Sequence, residues 1–207
     1  MKKQAFNPYL PSYEYVPDAE PYVFGNRLYV YGSHDAFGGK GFCVNDYVCY
    51  SAPTDDLGNW KYEGVIYRRT QDPVNPKGRQ YMNAPDVCQG PDGRYYLYYQ
   101  LQMQNTTSVA VAEKPEGPFE YYGFVRHPDG RPYGLKKDAY NFDPSVFLDD
   151  DGKIYMYTGF SPDSGLLRFL MERRGGTYKG GTVVELEPDM LTLVGGEVPT
   201  IPGKLYA

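Results

Sequence analysis

The chain has 207 residues, of which 41% are hydrophobic and 23% charged, with 23 Tyr against one Trp and with 24 Gly and 18 Pro. A domain of this size buries roughly 70% of its unfolded surface without disulfide or metal staples, and the composition is wrong for a disordered chain. A formal net charge of −5 argues against a basic nucleic-acid footprint or a cationic membrane patch.

Met1-Lys2-Lys3-Gln4-Ala5 starts like the charged head of a signal peptide, but Asn7-Pro8-Tyr9-Leu10-Pro11 follows where an apolar core should be. No run approaches the roughly 18 apolar residues of a membrane span. Cys43, Cys49 and Cys88 lack metal-type spacing, so reduced thiols in a cytoplasmic protein are expected. Apolar positions nowhere recur at helical spacing over a dozen residues without a Gly or Pro. Alternating strand text recurs instead. One unit opens at Pro21-Tyr22-Val23-Phe24, turns at Gly25-Asn26 and returns through Leu28-Tyr29-Val30-Tyr31. A second opens at Pro85-Asp86-Val87-Cys88, turns at Asp92-Gly93 and returns through Tyr95 to Tyr99. A third opens at Asp143-Pro144-Ser145-Val146-Phe147, turns at Asp151-Gly152 and returns through Ile154 to Tyr157. Further strand text follows the first two hairpins: 47–51 and 60–65, then 108–112 and 119–125. The fold is therefore all-β. Four strands restarting at intervals of roughly 40–65 residues are the pattern of β-propeller blades, more than of a β-sandwich. The blades are expected at about 17–67, 82–126 and 140–195.

An acidic residue opens each unit: Asp18 or Glu20, then Asp86, then Asp143. Innermost strands of a propeller line its central channel, so these carboxylates would converge at one mouth. Clustered acids push one another's pKa values apart, which suits acid–base work. A lone Asp before Pro, or at a strand start, does no more than cap a turn. The run Asp149-Asp150-Asp151 reads as such a solvated turn, and most Tyr clusters read as blade packing.

Three motifs make the sequence resemble the family 43 glycoside hydrolases, five-bladed propellers that act on arabinose- and xylose-containing polysaccharides and oligosaccharides. They are Pro17-Asp18-Ala19-Glu20-Pro21 leading into Gly32-Ser33-His34-Asp35, then Asn83-Ala84-Pro85-Asp86-Val87, then Phe142-Asp143-Pro144-Ser145-Val146-Phe147 continuing through Asp151-Gly152. Gly181-Thr182-Val183-Val184-Glu185 through Met190 reads like the end of the family's third blade. The resemblance implies inverting hydrolysis, in which one carboxylate activates water while a carboxylic acid protonates the leaving oxygen. Its general base matches Asp18, 11 residues before Tyr29; Glu20 stands 9 before it and competes, because Pro follows Glu20. Its second Asp, which orients the acid and tunes its pKa, matches Asp143. Asn83, Ala84, His34, Asp35, Asp86 and Phe142 match sugar-contacting or supporting positions.

The general acid of that family is a Glu opening the fourth blade. Glu172, Glu185, Glu187 and Glu197 do not match its motif, and the chain stops at Ala207, where that segment should begin. The expectation is thus the N-terminal three blades of one catalytic domain, without a cofactor of its own, whose complete channel leaves room for a structural cation. The partners implied are a carbohydrate and a second chain or copy completing the propeller, with no nucleic acid and no membrane. A carbohydrate-binding or assembly module that has lost catalysis is the alternative.

Overall fold

The computed structural model describes residues 7–135, 137–160 and 180–200, and between 161 and 179 only residues 165, 166 and 169. It forms three four-stranded antiparallel meanders, each in simple strand order. Blade 1 comprises β1 (Glu20–Phe24), β2 (Arg27–Tyr31), β3 (Tyr47–Pro53) and β4 (Lys61–Tyr67). Blade 2 comprises β5 (Asp86–Gln89), β6 (Tyr95–Gln100), β7 (Thr107–Ala112) and β8 (Glu120–Phe124). Blade 3 comprises β9 (Ser145–Leu148), β10 (Ile154–Thr158), β11 (Thr182–Leu186) and β12 (Val198–Pro199).

Turn chemistry sets these hairpins. In blade 1, Gly25 and Asn26 form a two-residue turn, and Gly25 takes φ 62°. Blades 2 and 3 repeat one longer turn, with Gly93 and Gly152 both at φ 84°. The Gly90 amide bonds the Arg94 carbonyl at 2.8 Å, and Asp149 bonds Lys153 in the same way at 2.8 Å. A left-handed residue closing a three-residue hairpin loop favours glycine. The Asp149–Asp151 run is accordingly a turn, with Asp151 Oδ1 accepting the Lys153 amide at 3.0 Å.

Two apolar layers hold the blades together. Tyr31, Tyr47, Ile66 and Tyr67 of blade 1 meet Val87, Leu97, Tyr99 and Ala110 of blade 2. Tyr96, Tyr98 and Val109 on the other side of blade 2 meet Val146, Ile154, Met156 and Val184 of blade 3. Side chains alternate across a strand, so Tyr95-Tyr96-Leu97-Tyr98-Tyr99 is apolar without interruption because each of its faces has a blade against it. In β10 only Ile154, Met156 and Thr158 are buried, while Tyr157 is 43% exposed.

The tyrosines do more than pack. A buried phenol hydroxyl needs a partner, and here the partners lie on neighbouring elements. Tyr31 donates to the Pro115 carbonyl at 2.7 Å, Tyr98 to the Met190 carbonyl at 2.7 Å, and Tyr47 to the Asn83 carbonyl. Tyr99 donates to buried Asp72 at 2.6 Å and stands 2.8 Å from the Tyr67 hydroxyl.

Candidate active site

The first strands of the blades converge: β5 lies against β9, and β1 against β5. Strand starts give the blade-to-blade register. Glu20, Asp86 and Ser145 each begin an inner strand, and Asp18, Ala84 and Asp143 each stand two residues earlier. This corrects the sequence-based grouping of Asp86 with Asp143. Asp86 is the counterpart of Glu20 and Ser145, and blade 2 has an alanine where its neighbours carry a carboxylate.

Asp18 and Asp143 share more than their register. Both are exposed, and both have left-handed backbones, with φ 53° and 46°. That conformation costs a side-chain-bearing residue on the order of 1 kcal/mol, least for Asp and Asn. Ser33 Oγ donates to Asp18 Oδ2 at 3.2 Å. Gly32 admits the segment that carries Asp18: a Cβ there would lie 2.7 Å from the Pro17 carbonyl oxygen and 3.3 Å from Ala19 Cα. The protein around the Asp143 carboxyl group, and then the negative charge of Asp18, push it up to about 6. The two carboxylates therefore sit within electrostatic reach of each other. Glu20 is partly buried, and its carboxyl is raised first by that burial, then by Asp86 and Asp18.

Asp86 is placed differently. It has no exposed surface. Tyr22 of β1 donates to Oδ1 at 2.6 Å, the Val87 amide to Oδ1 at 2.8 Å, and the Val146 amide of β9 to Oδ2 at 2.5 Å. Burial pushes its carboxyl up against the opposing effect of these donors and of the Ser145 hydroxyl. Its partners are strands of the adjoining blades.

The other expected residues divide among three concavities. Asp143 lines an open one of about 500 Å³ with Ser145, Tyr157, Phe160 and Thr182. Asn83 and Phe142 line a smaller one of about 180 Å³ with Phe42, Met103 and Tyr140. Phe142 packs on Phe160 at 4.9 Å between ring centroids. Asn83 is itself buried, its Nδ2 donating to Gln100 Oε1 at 3.2 Å, while Ala84 is half-buried beside it. His34 and Asp35 line a third depression of about 430 Å³ with Glu14, Asn45 and Asp46. There His34 Nδ1 donates to the Asp46 carbonyl at 2.9 Å, and Asp35 Oδ1 accepts the Cys43 amide at 2.5 Å.

Two neighbours of the carboxylates escaped sequence reasoning. Ser33 lies within a quoted motif, so its place next to an acidic strand start was readable in principle. Cys43 returns from a loop at φ 57°, buried against Ser33, and burial raises its thiol; no spacing rule announces that. Of the glutamates set aside as acids, Glu185 is 3.8 Å from Lys153 and Glu197 accepts from the Tyr133 hydroxyl and the Ala139 amide, while Glu187 is exposed in the turn after β11. Glu172 lies outside the described residues. Among the described residues no group of three or more His, Cys, Asp or Glu is arranged to hold a metal ion, and no helix is long and apolar enough to cross a membrane.

Comparison with known proteins gives a consistent result. The family described as glycosyl hydrolases family 43 matches residues 12–205. A xylosidase/arabinosidase of Thermoclostridium stercorarium is 53% identical over 208 residues, covering 100% of this chain and 42% of the relative. A xylosidase/arabinosidase of Bacteroides ovatus is 36% identical, covering 73% of this chain and 45% of the relative. The chain thus spans less than half the length of these curated relatives. Among solved structures, a β-xylosidase/α-arabinofuranosidase from a compost microbial metagenome, in complex with xylotriose, superposes with TM-score 0.68 at 25% identity. That match covers 95% of this chain and 62% of the other.

Proposed function

Since the chain belongs to glycosyl hydrolases family 43, we propose that it supplies the base side of an inverting glycosidase acting on xylose- or arabinose-containing oligo- or polysaccharides. The observation that carries this reading is the pair Asp18 and Asp143, equivalent in register, alike in their left-handed backbone, and coupled in charge. Asp18 is the general base. With Oδ2 held by the buried Ser33 hydroxyl, the carboxylate is oriented to take a proton from water at the anomeric carbon. Asp143 orients the general acid and keeps it protonated by its own charge. Asn83, Phe142 and their cavity hold part of the sugar. The acid is a glutamate carried by polypeptide that packs on the open face of blade 3, about 6.5–9.5 Å from the base so that a water fits between base and sugar.

A chimera joining residues 1–207 to the remaining C-terminal portion of the Thermoclostridium stercorarium relative tests this. It is expected to hydrolyse nitrophenyl β-xyloside or α-arabinofuranoside and release the inverted anomer, read by proton NMR of the fresh product. Asp18→Asn should lower kcat by about 10²–10⁴-fold. Retained configuration would refute the mechanism. Full activity after Asp18→Asn would move the base to Glu20. Brisk turnover by the 207-residue chain alone would show that it already holds its acid, and sugar binding without turnover by the chimera would favour a binding module.

A further inference from the structure

β1, β5 and β9 belong to three separate sheets, so no backbone ladder sets one inner strand against the next. Apolar packing between blades is non-directional and tolerates small slides. An active pair drawn from two different blades tolerates them poorly, since a displacement of about 1 Å can cost a hundredfold in rate. Something directional has to fix the frame.

Asp86 meets that need. It begins the inner strand of the blade between the pair and reaches both sides at once. Tyr22 lies four residues after Asp18, on β1, which is paired with β2 from Glu20 onward. Val146 lies three residues after Asp143, on β9, which is paired with β10 through Tyr157↔Ser145 and Met156↔Val146. Tyr22 and Val146 lie within these ladders, and Asp18 and Asp143 stand two residues before the ladders begin, so each carboxylate projects from the end of a ladder-stiffened strand that bonds Asp86. Charge-assisted hydrogen bonds are the strong directional ones; the Val146 bond is buried, the Tyr22 bond is partly so, and Asp86 itself has no exposed surface. Tyr22 is held independently by its ring, stacked on Phe24 at 5.9 Å, while Phe24 meets Tyr95 of β6 edge-on at 4.9 Å.

We propose that Asp86 is a positioning residue that fixes the separation of the Asp18 and Asp143 carboxylates by clasping β1 and β9 from the blade between them. This deepens the proposed function and rests on its reading of those two carboxylates as the working pair. Asp86 touches no substrate; it acts through Tyr22, Val146 and Ser145.

The test separates positioning from simple blade cohesion. Tyr22→Phe keeps the packed ring and removes one clasp; Asp86→Asn weakens both. In the 207-residue chain, carboxyl ¹³C NMR follows the titration of Asp143. Loosening the clasp should move its midpoint down from about 6 by half a unit or more in Tyr22→Phe. The same substitution in an Asp18→Asn background should leave the midpoint where Asp18→Asn alone puts it, because the shift is a change in the pair's coupling. In the chimera, Tyr22→Phe should lower kcat about 10–100-fold at unchanged KM. An Asp143 midpoint unmoved by Tyr22→Phe, or moved equally with and without Asp18, would overturn the proposal. The titration reads the geometry of the pair whether or not the pair hydrolyses anything. An inactive chimera with the shift intact therefore counts against the function alone.

Discussion

Blade 2 and its two neighbours share one four-stranded meander and differ in what surrounds it. The second strand of blade 2 is covered on both faces, and its inner strand opens with a carboxylate that has no exposed surface and three donors at 2.5–2.8 Å. Blades 1 and 3 are covered less evenly: β3 of blade 1 is buried on both faces from Tyr47 through Ala52, whereas Phe147 and Tyr157 of blade 3 are exposed. The carboxylates of these two blades stand two residues earlier, exposed, on left-handed backbone. Enclosure leaves Asp86 fully hydrogen-bonded, whereas Asp18 and Asp143, two residues earlier in register, keep exposed carboxylates. In the proposed mechanism only the exposed pair takes part in proton transfer.

Truncation should expose the contrast most strongly. Leu97→Ala opens a cavity between blades 1 and 2 and should cost about 2–5 kcal/mol in urea denaturation. Phe147→Ala, removing a side chain 53% exposed on blade 3, should stay within about 0.5 kcal/mol. Equal losses would mean that blade 3 is covered in solution.

Neutralising the carboxylates should act with opposite sign. Asp86→Asn keeps one acceptor oxygen but sets an amide NH2 against the donors of the other, and should destabilise by about 1–3 kcal/mol. Asp143→Asn should stabilise by about 1 kcal/mol or less at pH 7, given solvent screening at an exposed site, or roughly 2–4 °C in Tm. The sign follows from proton binding: with its carboxyl at about 6, folded Asp143 holds a proton more tightly than the unfolded chain does. Stability contributed at low pH is therefore lost as pH climbs from about 4 to 6, and the Asn variant should show no advantage at pH 4. Thermal melts at pH 4, 6 and 8 measure it.

Much of the fold was legible because local chemistry dictates it. Gly25, Gly93 and Gly152 stand where the hairpins need them, and the unbroken Tyr95–Tyr99 run marks a strand covered on both faces. β12 has two residues and no alternation, so nothing announced it. The convergence of Asp18 and Asp143 was expected from the repeat, and the charge of Asp18 acts on Asp143; the hydrogen bonds that tie Asp86 to β1 and β9 were not readable. Its partners lie 64 and 60 residues away, and one is a backbone amide, which leaves no trace in residue identity. Grouping the acids by chemical type put Asp86 beside Asp143, whereas strand starts put it beside Ser145. The return of Cys43 to the site depends on a loop whose path only tertiary packing decides.

The tyrosine excess has a consequence at the alkaline end of the pH scale. Burial holds the phenols of Tyr31, Tyr47, Tyr98 and Tyr99 above the ordinary value of 10. The unfolded chain releases those protons near pH 10 while the folded chain keeps them, so stability falls as pH rises past that point. Each hydroxyl that binds one blade to the next is thus also a latent acid. The phenols should ionise together in one cooperative step as the blades part, read as a single jump in phenolate absorbance. Separate phenolate titrations with the blades still packed would show that these hydroxyls are not holding them.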